Sequence, residues 1–176
     1  IPMRNRTTLS TIGIAGLWLL VGAGCSEAPE QAAGAPAAGP AVDQDTAEYA
    51  AMEYRQGLMH VMAFKAGPVR NMADGSMPVD EAVFAKSASD LAAAAGMITE
   101  GFVANSSSTD IPGSAGLPEI WSDWDDFVSK AAALETAATE IANLAAQGGF
   151  AAAQAAAGEL GANCGGCHRP YRQRDQ

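Results

Sequence analysis

The chain has 176 residues, of which 48% are hydrophobic but only 6% aromatic, and its formal net charge at pH 7 is −10. Alanine supplies most of the apolar residues and Ile and Val are few, a composition that favours helices over strands. The negative charge repels nucleic acid and anionic lipid head groups, so nucleic acid is not an expected partner.

The first 24 residues are typical of a secretory signal peptide. Arg4 and Arg6 precede an apolar run from 12 to 23 that only glycines interrupt. A basic start, a short apolar core and small residues are the pattern of an export signal. A transmembrane helix is the alternative, but the run is too short and no charged stop sequence follows it. We therefore expect residues 1–24 to be removed and the protein to be periplasmic.

The segment that ends at Cys25, Val-Gly-Ala-Gly-Cys, resembles the cleavage box of bacterial lipoproteins. In that family the cysteine becomes the lipidated first residue, and Gly22 stands where Leu is usual. Ordinary cleavage after Ala23 is the alternative. The resemblance implies a lipid anchor on Cys25, which would be the only attachment to a bacterial membrane. Residues 26–42 have almost nothing to bury and should form a flexible Ala/Pro-rich linker.

Residues 43–176 are predicted to form one domain that begins with two helices. Helix A extends from Asp43 to about Ala66, where Gly67-Pro68 should end or kink it because proline lacks an amide hydrogen. Helix B begins near Met77-Pro78 and continues through Ile98. The residues expected to face inward are Met52, Met59, Met62 and Ala66 on helix A, and Val83, Phe84, Ala88, Leu91, Ala94, Ala95 and Ile98 on helix B.

Two further helices follow a long loop at 105–118, which is rich in Ser, Thr, Asp, Pro and Gly. Helix C starts at Pro118, and helix D extends from Phe150 to about Tyr171. The residues expected to face inward are Ile120, Trp124, Phe127, Ala131, Leu134, Ala138 and Ile141 on helix C, and Ala153, Ala157, Leu160 and Cys164 on helix D. Four amphipathic helices with mostly short connections predict an all-α, antiparallel four-helix bundle. Its many alanines fill little volume, so a bulky group is expected inside.

The sequence Cys164-Gly165-Gly166-Cys167-His168 in helix D carries the chemistry. At spacings of three and four, both thiols and the imidazole emerge on one face of the helix. This is the pattern of covalent haem c attachment, in which the thiols add across the haem vinyl groups and the imidazole binds the iron. We expect one haem c per chain, held by Cys164, Cys167 and His168.

Three other uses of the paired cysteines fit the sequence less well. A thioredoxin-like dithiol would need a strand-helix setting near the N-terminal end of a helix. A zinc site would need four ligands, yet only His60 and Cys25 remain, and Cys25 belongs to the signal. A disulfide would strain the helical spacing of three residues. Haem attachment is therefore the favoured interpretation.

A single Cys-X-X-Cys-His near the C-terminus of a four-helix bundle resembles the class II c-type cytochromes, the cytochrome c′ family. Residues 54–59, Tyr-Arg-Gln-Gly-Leu-Met, resemble the helix A signature of that family, and residues 120–123, Ile-Trp-Ser-Asp, resemble the start of its helix C. The resemblance covers roughly residues 43–174. It implies that Met59 lies over the distal face of the haem and Arg172 beside its proximal face.

Helical periodicity agrees with this placement of Met59. Arg55 and Met59 share a stripe, whereas His60 is turned about 100° away, with Tyr49, Glu53, Gln56 and Phe64. We therefore do not expect His60 to bind the iron. Arg55 and Arg172 are candidates to pair with haem propionates, the alternative being that they are ordinary solvated helix charges.

Two functions remain open from the sequence. In electron transfer with redox partner proteins, Met59 would be the second iron ligand opposite His168. In the alternative, which the resemblance implies, His168 is the only protein ligand and the iron binds NO or CO. The distal stripe carries no second histidine and no convergent carboxylates, so we do not expect an enzyme. The resemblance also implies a possible homodimer.

Overall fold

The computed structural model describes residues 43–174. The predicted signal peptide, Cys25 and the linker lie outside these residues. The helices are α1 (Ala47–Ala73), α2 (Glu81–Ala95), α3 (Glu119–Ser122), α4 (Trp124–Ala146), α5 (Phe150–Ala157) and α6 (Leu160–Tyr171), with a 3₁₀ turn at Ile98–Gly101. Within residues 43–174 the only β-type pairing is an isolated bridge between Gly116 and Arg172. No helix in this part of the chain combines the length and apolarity needed to span a bilayer.

Helix α1 is longer than the sequence predicts. It begins after Thr46, whose Oγ1 accepts a hydrogen bond from the Tyr49 amide at 3.1 Å. The predicted end of the helix near Ala66 is wrong, because α1 continues to Ala73 with Pro68 inside it. Val69 and Met72 are at most 2% exposed. Burying two such side chains contributes roughly 3–6 kcal/mol, which offsets the ~3 kcal/mol cost of an interior proline.

Helix α2 is shorter than predicted at both ends. Asp80 precedes it as the N-cap, and its carboxylate accepts a hydrogen bond from the Val83 amide at 3.0 Å. The helix ends at Ala95, so Ile98 belongs to the 3₁₀ turn instead. Ile98 is nevertheless buried, as the sequence pattern predicts.

The predicted helices C and D are each interrupted once. Asp123 leaves the helical region, with φ −116° and ψ 43°, and separates the short α3 from α4. Helix D divides into α5 and α6 at Gly158 and Glu159. Gly158 is a weak helix former, which is consistent with a break at that point. Residues between 102 and 118 form no α-helix, as predicted for the long loop.

The helices close into a four-helix bundle, which confirms the predicted fold class. Helix α2 packs against α1 and α4, α4 packs against α5 and α6, and α5 also contacts α1. Edge-to-face aromatic pairs join the layers: Phe84 with Phe150 at 5.2 Å, and Phe127 with Tyr171 at 5.5 Å. Most predicted inward residues are buried. The exceptions are Val83 and Trp124, which are 44% and 36% exposed, and Met59 and Cys164, which are partly buried.

Candidate functional site

A cavity of about 390 Å³ opens beside α1 and α6. Its apolar lining consists of Met59, Ala63, Phe102, Ala115, Gly116, Ile120, Phe127 and Tyr171, and its remaining lining consists of Arg55, Gln56, His60, Cys167, His168 and Arg172. Five of the six residues predicted to bind the cofactor therefore line one cavity. The sixth, Cys164, lies one turn earlier on α6 and packs against the hydrophobic core.

Cys164 and Cys167 are unpaired thiols, and each is partly buried. Burial raises the pKa of both thiols, and nearby cations, Arg70 for Cys164 and Lys130 for Cys167, only partly oppose this effect. A redox dithiol needs a lowered thiol pKa, so this environment does not favour thioredoxin-like chemistry. Two uncharged thiols and an imidazole on one helix beside a largely apolar cavity fit the covalent attachment of haem c.

His168 is exposed where it borders the cavity, in the last turn of α6. Desolvation by its surroundings lowers the pKa of the imidazole, and the positive charge of Arg172 lowers it further. The neutral imidazole is therefore favoured at pH 7, and this is the form that binds a metal. The Arg172 amide donates to the His168 carbonyl oxygen at 3.1 Å, which closes the helix beside the imidazole.

Met59 of α1 lines the cavity together with Cys167, His168 and Tyr171 of α6, and is partly buried. His60 is exposed, as its helical position predicts, but the prediction that it turns away from the site is incomplete. Both His60 and Gln56 border the same cavity, because the opening extends around one side of α1. Met59 and Gln56 are partly buried, whereas His60 is exposed.

Arg55 is only 4% exposed, so the interpretation of this residue as a solvated charge is wrong. Its Nη1 donates to the Gly101 carbonyl at 3.0 Å and to Ser106 Oγ at 2.9 Å. Its Nη2 donates to Ser114 Oγ at 2.7 Å and to the Ser106 carbonyl. The guanidinium carbon also lies 5.3 Å from the centre of the Phe102 ring. Arg55 therefore fastens residues 102–118, which we call the wall loop, to α1.

The wall loop approaches α1 closely because of one glycine. A Cβ atom at Gly101 would lie 2.8 Å from Tyr54 Cδ1, 3.0 Å from Arg55 Cβ and 3.2 Å from the Ala51 carbonyl oxygen. A larger residue would push the start of the loop away from Arg55 and its hydrogen bonds. Three serines of the loop are also buried, namely Ser106, Ser107 and Ser114. Their role is not visible in the sequence, because solvated loops have the same composition.

The far end of the wall loop is attached to α6. The Leu117 amide donates to the Tyr171 carbonyl at 3.0 Å, and the Gln173 amide donates to the Ala115 carbonyl at 2.8 Å. The side chain of Tyr171 also reaches α4, where its hydroxyl donates to Asp126 Oδ2 at 2.5 Å. This hydrogen bond is the main cause that raises the pKa of Tyr171, to about 12, and it also lowers the pKa of Asp126. The cavity wall is thus held from both sides.

The chain is similar in sequence and in structure to known cytochromes. The family model for cytochrome C′ matches residues 50–172. Cytochrome c-554 of Cereibacter sphaeroides is 41% identical over 138 residues, which cover 77% of this chain and 90% of that protein. A solved cytochrome c′ from Rhodobacter Spheriodes has a TM-score of 0.67 and 30% identity, covering 74% of this chain and all of that one.

A second solved structure is informative about ligands. The nitric oxide complex of a mutant cytochrome c prime from Alcaligenes xylosoxidans has a TM-score of 0.64 and 27% identity. The match covers 73% of this chain and 97% of that one. The similarity therefore extends over the whole bundle and includes a relative with a gas ligand.

The first prediction concerns Arg55. Arg55→Ala should lower the free energy of unfolding by about 3 kcal/mol, because it leaves buried carbonyl and hydroxyl groups of the wall loop without a donor. Urea denaturation of the haem-loaded protein measures this loss. Gln56→Ala is the matched control, since it removes one exposed hydrogen bond to the Gly113 carbonyl and should cost less than ~1 kcal/mol. Equal losses in the two variants would contradict the role of Arg55.

The second prediction concerns pH and Tyr171. Its pKa is raised from 10.0 to about 12, so its hydrogen bond stabilises the folded state fully below pH 10 and is lost as the pH rises through about 12. The difference in melting temperature between the wild type and Tyr171→Phe should be constant from neutral pH to about pH 9 and then shrink. Circular dichroism melts across this range measure it. Tyr54→Phe, which loses an exposed hydrogen bond to Glu100, should show a smaller difference. An unchanged melting temperature of Tyr171→Phe at pH 7 would refute the prediction.

Proposed function

This chain belongs to the cytochrome c′ family, and on that premise we propose that it is a monohaem c-type cytochrome that transfers electrons in the periplasm. The observation that carries the proposal is that Met59 of α1 lines the same cavity as Cys167 and His168 of α6. One covalent haem c per chain, the cofactor of this family, supplies a one-electron iron couple when it is bound.

The two cysteines hold the cofactor in this proposal. Cys164 and Cys167 would hold the haem through two thioether bonds, each formed when the S–H group of one thiol adds across one vinyl group. Both sulfurs lie on the rigid helix α6, and the imidazole of His168 follows directly. His168 binds the iron as its neutral form, which the lowered pKa favours.

The distal side is provided by α1. When haem is bound, Met59 would be the second protein ligand of the iron, and the apolar residues Ile120 and Phe127, which line the same cavity, would exclude water from it. With both His168 and Met59 as protein ligands, the site would change little in structure between the oxidation states of the iron, which suits electron transfer. Arg172 and Arg55 line the cavity and supply positive charge for the haem propionates.

Gas binding is the second candidate, and two observations favour it. A solved relative carries nitric oxide, and Met59 is only partly buried, so it can pack beside the iron without binding it. In this version His168 is the only protein ligand, and NO or CO binds on the distal side. No carboxylate lines the cavity within the described residues, so we assign no acid-base catalyst.

The wider context of the protein is also a proposal. We infer export by residues 1–24, a lipid anchor on Cys25 and a flexible linker at 26–42, which place the bundle of residues 43–176 in the periplasm. The exposed apolar residues of α1, Tyr54, Val61 and Phe64, offer a face for a second copy of the chain.

The third prediction tests covalent attachment. Cys164→Ala combined with Cys167→Ala should abolish haem that stays with the polypeptide after denaturation, and either single variant should keep one thioether bond. Haem-stained denaturing gels and intact mass measure this. The matched control is Cys25→Ala, which should retain covalent haem because Cys25 is not part of the Cys-X-X-Cys-His sequence. Loss of covalent haem in that variant, or its retention in the double variant, would contradict the assignment.

The fourth prediction separates the two functions. With Met59 bound to iron, CO should change the absorption spectrum of the reduced protein only slightly. Met59→Ala should open the site and produce a CO adduct and a change in spin state. Met62→Ala is the matched control, because Met62 is buried on α1 outside the cavity and should leave the spectrum unchanged. A ready CO adduct of the wild-type protein would refute Met59 ligation and favour gas binding.

A further inference from the structure

Positive charge is concentrated at the end of α6. Three of the ten Lys and Arg residues of the chain, Arg169, Arg172 and Arg174, lie within six positions. No acidic residue occurs between 160 and 174, although the chain as a whole has a formal charge of −10. Within residues 43–174 this segment is therefore locally cationic, in a chain that is acidic overall. We call these three residues the arginine surface.

The arginine surface borders a second cavity of about 310 Å³, which is lined by His168, Arg169, Arg172, Gln173 and Arg174. His168 and Arg172 also line the first cavity. The cationic concavity therefore meets the haem site at the residue that we assign as the iron ligand. The Gln173 amide donates a hydrogen bond to the carbonyl oxygen of Ala115 in the wall loop. This bond holds the backbone between Arg172 and Arg174 against the loop.

Arg169 lies along the haem-attachment motif. A Cβ atom at Gly165 would be 3.0 Å from its Nη1, so the guanidinium reaches back over that glycine, one turn earlier on α6. Within residues 43–174 the ion pairs are formed by Lys65, Lys86 and Lys130, and none involves Arg169 or Arg174. Both of these arginines are exposed. Their charges are therefore presented to the solvent beside the motif.

We propose that the arginine surface is the docking site for an acidic surface of a redox partner protein, through which electrons pass next to His168. This inference rests on the proposed electron-transfer function. Guanidinium groups bind carboxylates in a bidentate manner, which gives both charge and geometry to such a contact. The acidic remainder of the chain repels an acidic partner, so the partner is steered to this one end.

The sign of a salt effect tests the proposal. The ferrous haem-loaded protein is mixed with hexacyanoferrate(III), a trianion that stands in for an acidic partner, at ionic strengths from about 10 mM to about 0.5 M. If the net charge governed the encounter, the oxidation rate would rise with salt. We expect it to fall, because the anion reacts at the arginine surface. The cationic oxidant tris(1,10-phenanthroline)cobalt(III) should show the opposite trend. A rate with hexacyanoferrate(III) that rises with salt overturns the proposal.

Variants locate the effect. Arg169→Gln and Arg174→Gln should each slow oxidation by hexacyanoferrate(III) about threefold at low ionic strength and flatten its salt dependence. Lys86→Gln removes the same charge from an exposed residue of α2 that lines neither cavity, and should leave the rate nearly unchanged. An equal effect of Lys86→Gln would show that only net charge matters and would overturn the assignment.

Two further measurements separate the possible reasons for failure. At constant ionic strength, saturable inhibition by about 1 mM inorganic phosphate that disappears in Arg169→Gln would indicate a small-anion site and overturn docking by a protein. The absorption spectrum and the CO response of both arginine variants should match those of the wild type. If the proposed electron-transfer function is wrong, the reduced wild-type protein forms a CO adduct readily. If only the docking site is misplaced, the CO response is as predicted and the salt dependence of the oxidation rate is not.

Discussion

The cavity depends on the buried guanidinium of Arg55. A charged group inside a protein is costly unless its donors are satisfied, and Arg55 meets this requirement with carbonyl and hydroxyl oxygens of the wall loop and the turn before it. The same contacts set the position of Phe102 and Gly116, which form part of the cavity lining. The helices supply the frame of the bundle, and Arg55 holds the wall loop against α1.

Hydrophobic periodicity predicts the helices well because burial on one face is what stabilises them. It fails where tertiary packing overrides the tendency of proline to end a helix. At Pro68 the helix continues because Val69 and Met72, which follow it, are buried in the core. The interruption at Asp123 has no comparable signal in the sequence. Element boundaries are accordingly less predictable than the buried stripes.

Some residues of the site could be predicted from the sequence, and others could not. The spacing of Cys164, Cys167 and His168 alone predicts that they share one helix, whereas the prediction that Met59 lies over the distal face of the haem came from the family resemblance. The role of Arg55 was not accessible, because its partners lie 46 to 59 positions away in the sequence. Gly165 is a similar case: a Cβ atom there would lie 3.0 Å from Nη1 of Arg169. Helix α6 carries the two thiols, the imidazole and Arg169, and Arg172 and Arg174 follow directly after its end.

The long sequence separation of the Arg55 contacts also bears on how the protein opens. Most contacts of a helical bundle are local and form early, whereas closing a loop of about 50 residues costs more conformational entropy. The wall loop is therefore the segment expected to detach first while the helices stay packed, as a sub-global opening. Transient release of the Arg55 contacts would then widen the cavity on the side that the wall loop lines.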